Sequence, residues 1–249
     1  MAQKKKQKPA PIDSFRFHTG RILAGKYEVM ELLGAGWEGE VYLVREIHTD
    51  IIRTAKFFFP QRNLRDKALL FYARKLHKLH KCHVVIQYHT QEKIILRQQS
   101  VSFLISEFVE GELLSVFQKR QPGKKLAPYP AIHLLHAMAE GIECIHALGE
   151  YHGDLHSENI IVERFGLKFD LKLLDLFHWG APSKANIEDD VCNMIRIFYD
   201  TLGGAKTYSK LPAEIKAIIC GLKRSLILKK FRTAGELKRY LESMELHLT

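Results

Sequence analysis

Apolar and polar positions alternate through residues 26–44, KYEVMELLGAGWEGEVYLV, with a glycine-rich break near the middle and Val41 and Leu43 on one face beyond it. A period of two on both sides of a glycine turn predicts a β-hairpin. Residues 53–59 form a short apolar run carrying one lysine, Lys56, and the run stops at Pro60, where a strand would lose a backbone N–H. The spacing then lengthens. Leu69, Ala73, Leu76 and Leu79 or His80 recur every three or four positions with the charges opposite, which predicts an amphipathic helix. Residues 84–88, 92–96 and 101–108 follow as β-rich runs separated by turn-sized gaps, so the first half is expected to be a compact β-rich lobe with one helix.

From Tyr129 the helical period dominates: Ile132, Leu135, Met138, Ile142 and Ile145 share one face. A loop and two short strands, near residues 159–162 and 171–174, interrupt it. Helices are then expected over 191–202, 212–222 and 234–244, each bounded by Gly, Pro or Thr,. Strands first and helices second predict an α+β protein in two lobes with a hinge near residues 107–112. The expected divisions are a basic flexible tail at 1–20, a β-rich N-lobe at 21–107 and a helical C-lobe at 108–249.

Composition narrows the class. The 249 residues, 46% hydrophobic and 27% charged, exclude a collagen-like, disulfide-scaffold or wholly disordered chain,. No apolar run approaches the ~20 residues of a membrane span, and the start, MAQKKKQKPAP, is polar rather than a signal core, so neither insertion nor secretion is expected. Cys82, Cys144, Cys192 and Cys220 are scattered singly with no CxxC spacing, and a reducing cytoplasm is the expected home. The balance of 38 Lys+Arg against 28 Asp+Glu favours phosphate-bearing partners,. Its basic clusters are Lys4, Lys5, Lys6 and Lys8 in the tail, Arg74, Lys75, Lys78 and Lys81 on the predicted helix, and a C-terminal group around Lys229, Lys230 and Arg232. They lack interleaved aromatic platforms, and nucleic acid is not an expected partner.

Candidate chemistry is concentrated in three places. Gly34, Gly36, Gly39 and Val41 spell G-x-G-x-x-G-x-V between two predicted strands; a dinucleotide fingerprint would instead lead from a strand into a helix. A flap over a triphosphate fits that context, because glycines let backbone N–H groups approach phosphate oxygens. Lys56, on the next strand, is a candidate phosphate partner. Asp154 and Asn159 stand five apart in Y-H-G-D-L-H-S-E-N-I, and Asp175 ends a later apolar run, L-L-D-L-F. Phosphoryl transfer needs a carboxylate to take the acceptor's proton and oxygen ligands to hold Mg²⁺.

In order and spacing these motifs resemble the protein-kinase-like superfamily, over roughly residues 27–241. The resemblance implies a two-lobed fold, use of ATP with Mg²⁺ or Mn²⁺, and phosphate transfer to a hydroxyl-bearing acceptor, protein or small molecule. Gly34, Gly36 and Gly39 would cover the phosphates, Val41 the adenine, and Lys56 would pair with the α/β-phosphates. Glu107 and Val109 would offer backbone groups to adenine, with Ser106 behind it. Asp154 would be the base, Asn159 and Asp175 would hold metal, and Asp190 would open the central C-lobe helix and brace the catalytic loop.

The departures carry information as well. Tyr72 stands where the family's helix glutamate pairs the strand lysine, and no Glu occurs between Glu46 and Glu92. Either Lys56 is steered by Asp175 and phosphate alone, or a flap carboxylate, Glu38 or Glu40, substitutes. Arg74, Lys75 and Lys78 are expected to face solvent, since facing inward they would repel Lys56. Gly153 replaces an arginine that reads loop phosphorylation, His156 a γ-phosphate lysine, and Phe177 a glycine. Only residues 176–189 separate Asp175 from Asp190, which implies a shortened activation segment. No A-P-E occurs, and Phe231 falls where the arginine partner of that missing glutamate would be. His77, His80, His83 and His89 are expected to be solvated or capping, His152 a structural brace, and Trp37 either a substrate contact or packed on its own lobe. Three function classes follow: a phosphotransferase of protein Ser/Thr kinase or small-molecule kinase type, a pseudokinase serving as nucleotide-binding or scaffold module, and, disfavoured, a nucleic-acid binder.

Overall fold

A computed structural model describes residues 10–176 and 180–244; Lys4, Lys5, Lys6, Lys8 and Phe177 lie outside the described residues. The chain divides into two units, Met1–His77 with Gln87–Phe108, and Lys78–Ile86 with Val109–Thr249.

The first unit is built on one antiparallel sheet of six strands: β1 (Ile22–Leu23), β2 (Tyr27–Ala35), β3 (Gly39–Glu46), β4 (Ile52–Phe58), β5 (Tyr88–Leu96) and β6 (Gln99–Glu107), in the order β1-β2-β3-β4-β6-β5. Helix α1 (Lys67–Lys78) is inserted between β4 and β5. The glycine break closes the β2–β3 hairpin, with Ala35 opposite Glu40. Alternation along β3 and β4 sorts the side chains: Val41 pairs with Lys56, while Glu40 and Tyr42 pair with Phe57 and Ala55 and so share the opposite face,.

That opposite face is covered by the chain's own N-terminal segment. Residues 10–20, expected from composition to belong to a flexible tail, place Ile12, Phe15 and Phe17 in one buried cluster with Tyr42, Phe57, Phe59 and Phe103. Phe15 stacks on Phe59 at 5.1 Å and Phe17 meets Phe57 edge-on at 5.0 Å. Gln61 clasps the segment in both directions, its Nε2 donating to the Ile12 carbonyl at 2.9 Å and its Oε1 accepting from the Ile12 N–H at 3.4 Å. Three apolar anchors within six residues outweigh the lysines before them, since each buried ring contributes ~1.5–3 kcal/mol. Gln61→Ala is expected to cost about 1 kcal/mol and to speed amide hydrogen exchange selectively in the 12–17 segment, read by mass spectrometry; unchanged exchange there would remove Gln61 as its clasp.

The second unit contains β7 (Glu112–Leu113), α2 (Leu114–Arg120), α3 (Pro128–Ala147), β8 (Ile160–Phe165), β9 (Lys168–Leu173), α4 (Lys184–Thr201), α5 (Ala205–Tyr208), α6 (Ala213–Ile219), α7 (Arg224–Lys230) and α8 (Ala234–Ser243). Its small antiparallel sheet runs β7-β8-β9. Helix α3 buries Ile132, Leu135, Met138, Ile142 and Ile145, the face given by the periodicity. Helix α4 begins earlier than its apolar pattern, because Ser183, just ahead of Lys184, forms a capping box with Asn186 of the first turn,. Asp190 therefore lies inside the helix rather than opening it.

Two sequence expectations fail in the segment that follows α1. Residues 84–87 are not a strand, and only Tyr88 of the expected run belongs to one, as the start of β5; Val85 makes one isolated bridge to Leu173, and the Leu173 N–H donates to the Val84 carbonyl at 2.7 Å. The cysteines are not all single either, for Cys82 and Cys144 form a disulfide across 62 residues. Val84 lies against Gly141 of α3 so closely that a Cβ there would come 2.4 Å from it. Val84 and Val85 are thus spent on packing the second unit. Disulfides persist in oxidising surroundings, so the inference of a reducing compartment from unpaired cysteines loses its premise. Among the described residues no helix is long and apolar enough to cross a membrane.

Candidate active site

The candidate residues fall into two groups, one per unit. In the first, Gly34 ends the β2 side of the turn, the Gly36 N–H donates to the Gly39 carbonyl at 2.9 Å, and Gly39 opens β3. The three glycines are not equivalent. A Cβ on Gly39 would meet the Phe57 carbonyl oxygen at 1.7 Å, so that glycine is required by the close approach of β3 to β4. Among the described residues, Gly34 and Gly36 have nothing within 4 Å of such a Cβ; the sheet does not exclude side chains there. Trp37, at the tip and 68% exposed, is stacked under Arg62, whose guanidinium carbon sits 4.1 Å from the ring centroid. Of the two readings of Trp37, packing on its own unit is the one the structure contains.

Lys56 is largely covered. Its Nζ lies 3.7 Å from Glu38 Oε2, 4.5 Å from the Tyr72 ring centroid and 5.7 Å from that of Phe58. Glu40 points the other way: it is buried, its Oε2 accepts from the Phe15 N–H at 3.2 Å, and the Tyr42 hydroxyl also donates to it. Burial, with that hydrogen bond, pushes the Tyr42 hydroxyl well above the ordinary tyrosine range,. On α1, Arg74 and Lys78 are exposed as expected, and Lys78 pairs with Glu150 at 2.7 Å. Lys75 is not. It is 4% exposed, on the helix face that also carries Tyr72, because the 3.6-residue turn puts positions 72 and 75 on the same side. At the end of β6, Ser106 Oγ lies 2.7 Å from Thr54 Oγ1, which donates to the Glu107 carbonyl at 2.9 Å. The Glu107 N–H bonds the Gln87 carbonyl at 3.0 Å. Val109 follows in the second unit, in an irregular stretch before β7.

In the second unit the loop between α3 and β8 is folded around Asp190. This fully buried carboxylate accepts from the His152 N–H at 2.8 Å and the Gly153 N–H at 2.9 Å, and His146 Nε2 lies 3.0 Å from its Oδ2. Burial alone would raise the Asp190 pKa, but the hydrogen bonds from His146, Gly153 and His152 outweigh it and hold the carboxyl below its ordinary range,. Gly153 has φ +85, a left-handed angle at which a side chain is strained; a glycine here serves the turn. His152 is buried, and its Nδ1 accepts from the Asp154 N–H at 3.2 Å, which agrees with the expected brace. The Asp154 carboxylate itself stays exposed.

Asn159 ties the loop to the hairpin. Its Nδ2 donates to the Asp154 carbonyl at 2.9 Å and to Asp154 Oδ2 at 3.3 Å, and its carbonyl accepts from the Leu174 N–H at 2.8 Å. Since Ile160 of β8 pairs with Leu173 of β9, Asn159 and Asp175 stand at the same end of one hairpin. Asp175 has φ +54, a left-handed backbone that costs a non-glycine residue ~1–2 kcal/mol and that concentrates at functional sites. His156, which sequence reasoning noted only for the lysine it replaces, caps the next turn: its Nδ1 accepts from the Glu158 N–H, and its Nε2 is 2.9 Å from Asn159 Nδ2 and 3.5 Å from Asp154 Oδ2. His146 was missed outright, for nothing in a sequence links it to an aspartate 44 residues away.

Among the described residues no three His, Cys, Asp or Glu side chains cluster to hold a metal. Mg²⁺ of the nucleotide-borne kind takes one or two protein oxygens plus substrate phosphates rather than a protein cage; Asn159 and Asp175, at the same end of one hairpin, are the oxygen-bearing candidates for it.

The family profile described as "Protein kinase domain" matches residues 27–195. The chain is 26% identical over 215 residues to CBL-interacting protein kinase 29 of Oryza sativa subsp. japonica, covering 82% of this chain and 46% of that one. It is 29% identical over 167 residues to serine/threonine-protein kinase pkn2 of Myxococcus xanthus, covering 62% and 18%, and 27% identical over 150 residues to the probable serine/threonine-protein kinase YbdM of Bacillus subtilis (strain 168), covering 57% and 55%. The matched regions span about half or less of these relatives' lengths. The strand-rich first unit, the helical second unit, the ordered motifs and the matched profile agree, and the chain belongs to the protein kinase domain family.

Proposed function

We propose that this chain is a MgATP-dependent phosphotransferase that moves the γ-phosphoryl group to a hydroxyl, with a protein serine or threonine as the acceptor class. The observation that carries the reading is the loop in which Asn159 bonds Asp154 and the buried Asp190 gathers the backbone of His152 and Gly153 just before it. So much hydrogen bonding is spent on holding one exposed carboxylate still, which suits a group that must meet an acceptor in a fixed geometry.

In this mechanism the acceptor oxygen bonds to the γ-phosphorus, the bond from that phosphorus to the ADP oxygen breaks, and the hydroxyl proton passes to Asp154. Asn159 Oδ1 and the Asp175 carboxylate would hold the metal, which would supply positive charge to offset that of the phosphates. The flap at Gly34, Gly36 and Gly39 covers the phosphates with backbone free of side chains, Lys56 meets the α/β-phosphates, and Val41 covers the adenine. Backbone groups of Glu107 and Val109 complete the adenine contacts; the Glu107 carbonyl already accepts from Thr54 and keeps a second lone pair for this. The openness at Gly34 and Gly36 supports the reading, because a bound phosphate supplies the reason for glycine that the sheet does not,.

The names of the bacterial relatives favour a Ser/Thr acceptor. A small-molecule acceptor is favoured instead by one observation: α4 begins at Lys184, so only residues 176–183 are left for peptide docking after Asp175. The decisive measurement is phosphate transfer from labelled MgATP to a Ser/Thr peptide library and to a set of small alcohols. Saturating MgATP is also expected to raise the melting temperature, since occupancy at 100 Kd contributes ~2.7 kcal/mol. A folded protein with no thermal shift and no transfer would leave the pseudokinase, acting as a scaffold, as the reading to adopt.

A further inference from the structure

We propose that Glu38 of the flap is the positioning residue for Lys56, taking the part that a helix carboxylate takes elsewhere in the family; the inference rests on the nucleotide-binding reading above. Helix α1, KALLFYARKLHK, contains no carboxylate at all. In its place Tyr72 presents a ring to the Lys56 ammonium at 4.5 Å, which attracts a cation but does not direct it as an anion does. Glu38 Oε2, at 3.7 Å, supplies the anion. With the two side chains only 15% and 21% exposed, the pair is screened by water less than a surface ion pair,.

Backbone geometry selects Glu38 over Glu40. The Phe59 N–H donates to the Glu38 carbonyl at 2.9 Å, fixing the flap to the end of the strand that carries Lys56. Gly39 lets the two strands approach there, since any Cβ would strike the Phe57 carbonyl. Glu40, one step along β3, lies on the opposite face and is committed to Phe15 and Tyr42. The arrangement has a consequence for regulation. When the partner sits on a helix, moving the helix makes or breaks the lysine pair. Here a carboxylate partner sits on the flap that covers the phosphates, so the Glu38–Lys56 pair follows the flap's own position rather than a helix movement.

The test compares wild type, Glu38→Gln, Glu38→Asp and the double variant Glu38→Gln/Tyr72→Glu by two readouts. The first is the acylation rate of Lys56 in nucleotide-free protein with an amine-reactive ester, quantified by mass spectrometry. The second is the MgATP dissociation constant. Glu38→Gln, nearly isosteric but uncharged, is expected to label faster and to bind MgATP roughly three- to thirtyfold more weakly, the range for losing one charged contact. Glu38→Asp should fall between, and Tyr72→Glu should restore both readouts by returning a carboxylate to the lysine from the helix. Unchanged labelling in Glu38→Gln overturns the pairing, and faster labelling with unchanged MgATP affinity overturns the positioning role. Failure of wild type to bind MgATP, with the labelling difference intact, would instead sink the nucleotide reading on which the role depends.

Discussion

Asp154→Asn is expected to lower phosphate transfer by about 10²–10⁴-fold, the range for removing a general base, while MgATP affinity stays within about twofold. The split follows from where the charge acts. Asp154 receives the acceptor's proton and makes no contact with nucleotide in the proposed mechanism, so the loss belongs to the turnover and not to ground-state binding. The amide keeps the side chain's size and can still accept from Asn159 Nδ2, now 2.9 Å from the Asp154 carbonyl and 3.3 Å from its carboxylate. Single-turnover transfer and nucleotide titration on the same preparation provide the measurement. A variant retaining more than half of wild-type turnover would remove Asp154 from the chemistry, whatever the fate of the other candidates.

The second large effect is on stability. Asp190→Ala is expected to cost ~3–5 kcal/mol, because removing one member of a buried charged network strands the others. The His152 and Gly153 N–H groups would lose their shared acceptor and His146 its anion. Asp190→Asn should cost less, since its oxygen can still accept from one N–H while its amide nitrogen opposes the other. Denaturant unfolding at pH 7 measures both variants.

The pH dependence has a definite sign. The carboxyl's pKa is held below its ordinary range in the folded chain, so its contribution is present above the unfolded pKa, ~3.9, and is lost as pH falls through the folded value. Wild type should therefore lose its advantage over Asp190→Asn as pH drops below about 4. An advantage that stays constant from pH 7 to pH 3 would mean that the carboxylate is not stabilised by these bonds.

Much of this protein was determined by the sequence alone, wherever the signal is local. Two-residue alternation marks the β2–β3 hairpin, a short apolar run ending at Pro60 marks β4, and three- and four-residue spacing marks α1 and the buried face of α3, because a strand or helix buries one face and its pattern is written in consecutive positions. The order of G-x-G-x-x-G-x-V, Lys56, the Asp154–Asn159 loop and Asp175 was enough to indicate the family, since each motif is a short run whose spacing survives without knowledge of the fold.

Only the tertiary structure decided what depends on pairs of residues far apart in sequence. Composition made residues 10–20 a tail, yet three apolar side chains find a sheet face formed by strands up to ninety residues further on. Cys82 finds Cys144, and His146 finds Asp190, across separations that leave no pattern in the chain. Residues 84–87 have strand-like composition, but Val84 and Val85 meet Leu173 and Lys172 of β9 through one isolated bridge and two hydrogen bonds rather than a continuous ladder. The choice between Glu38 and Glu40 turned on which way a two-residue alternation is carried through a glycine turn. A turn breaks the period that sequence reasoning relies on, and the direction of a side chain beyond it is set by the backbone bonds that fix the turn to its neighbouring strand.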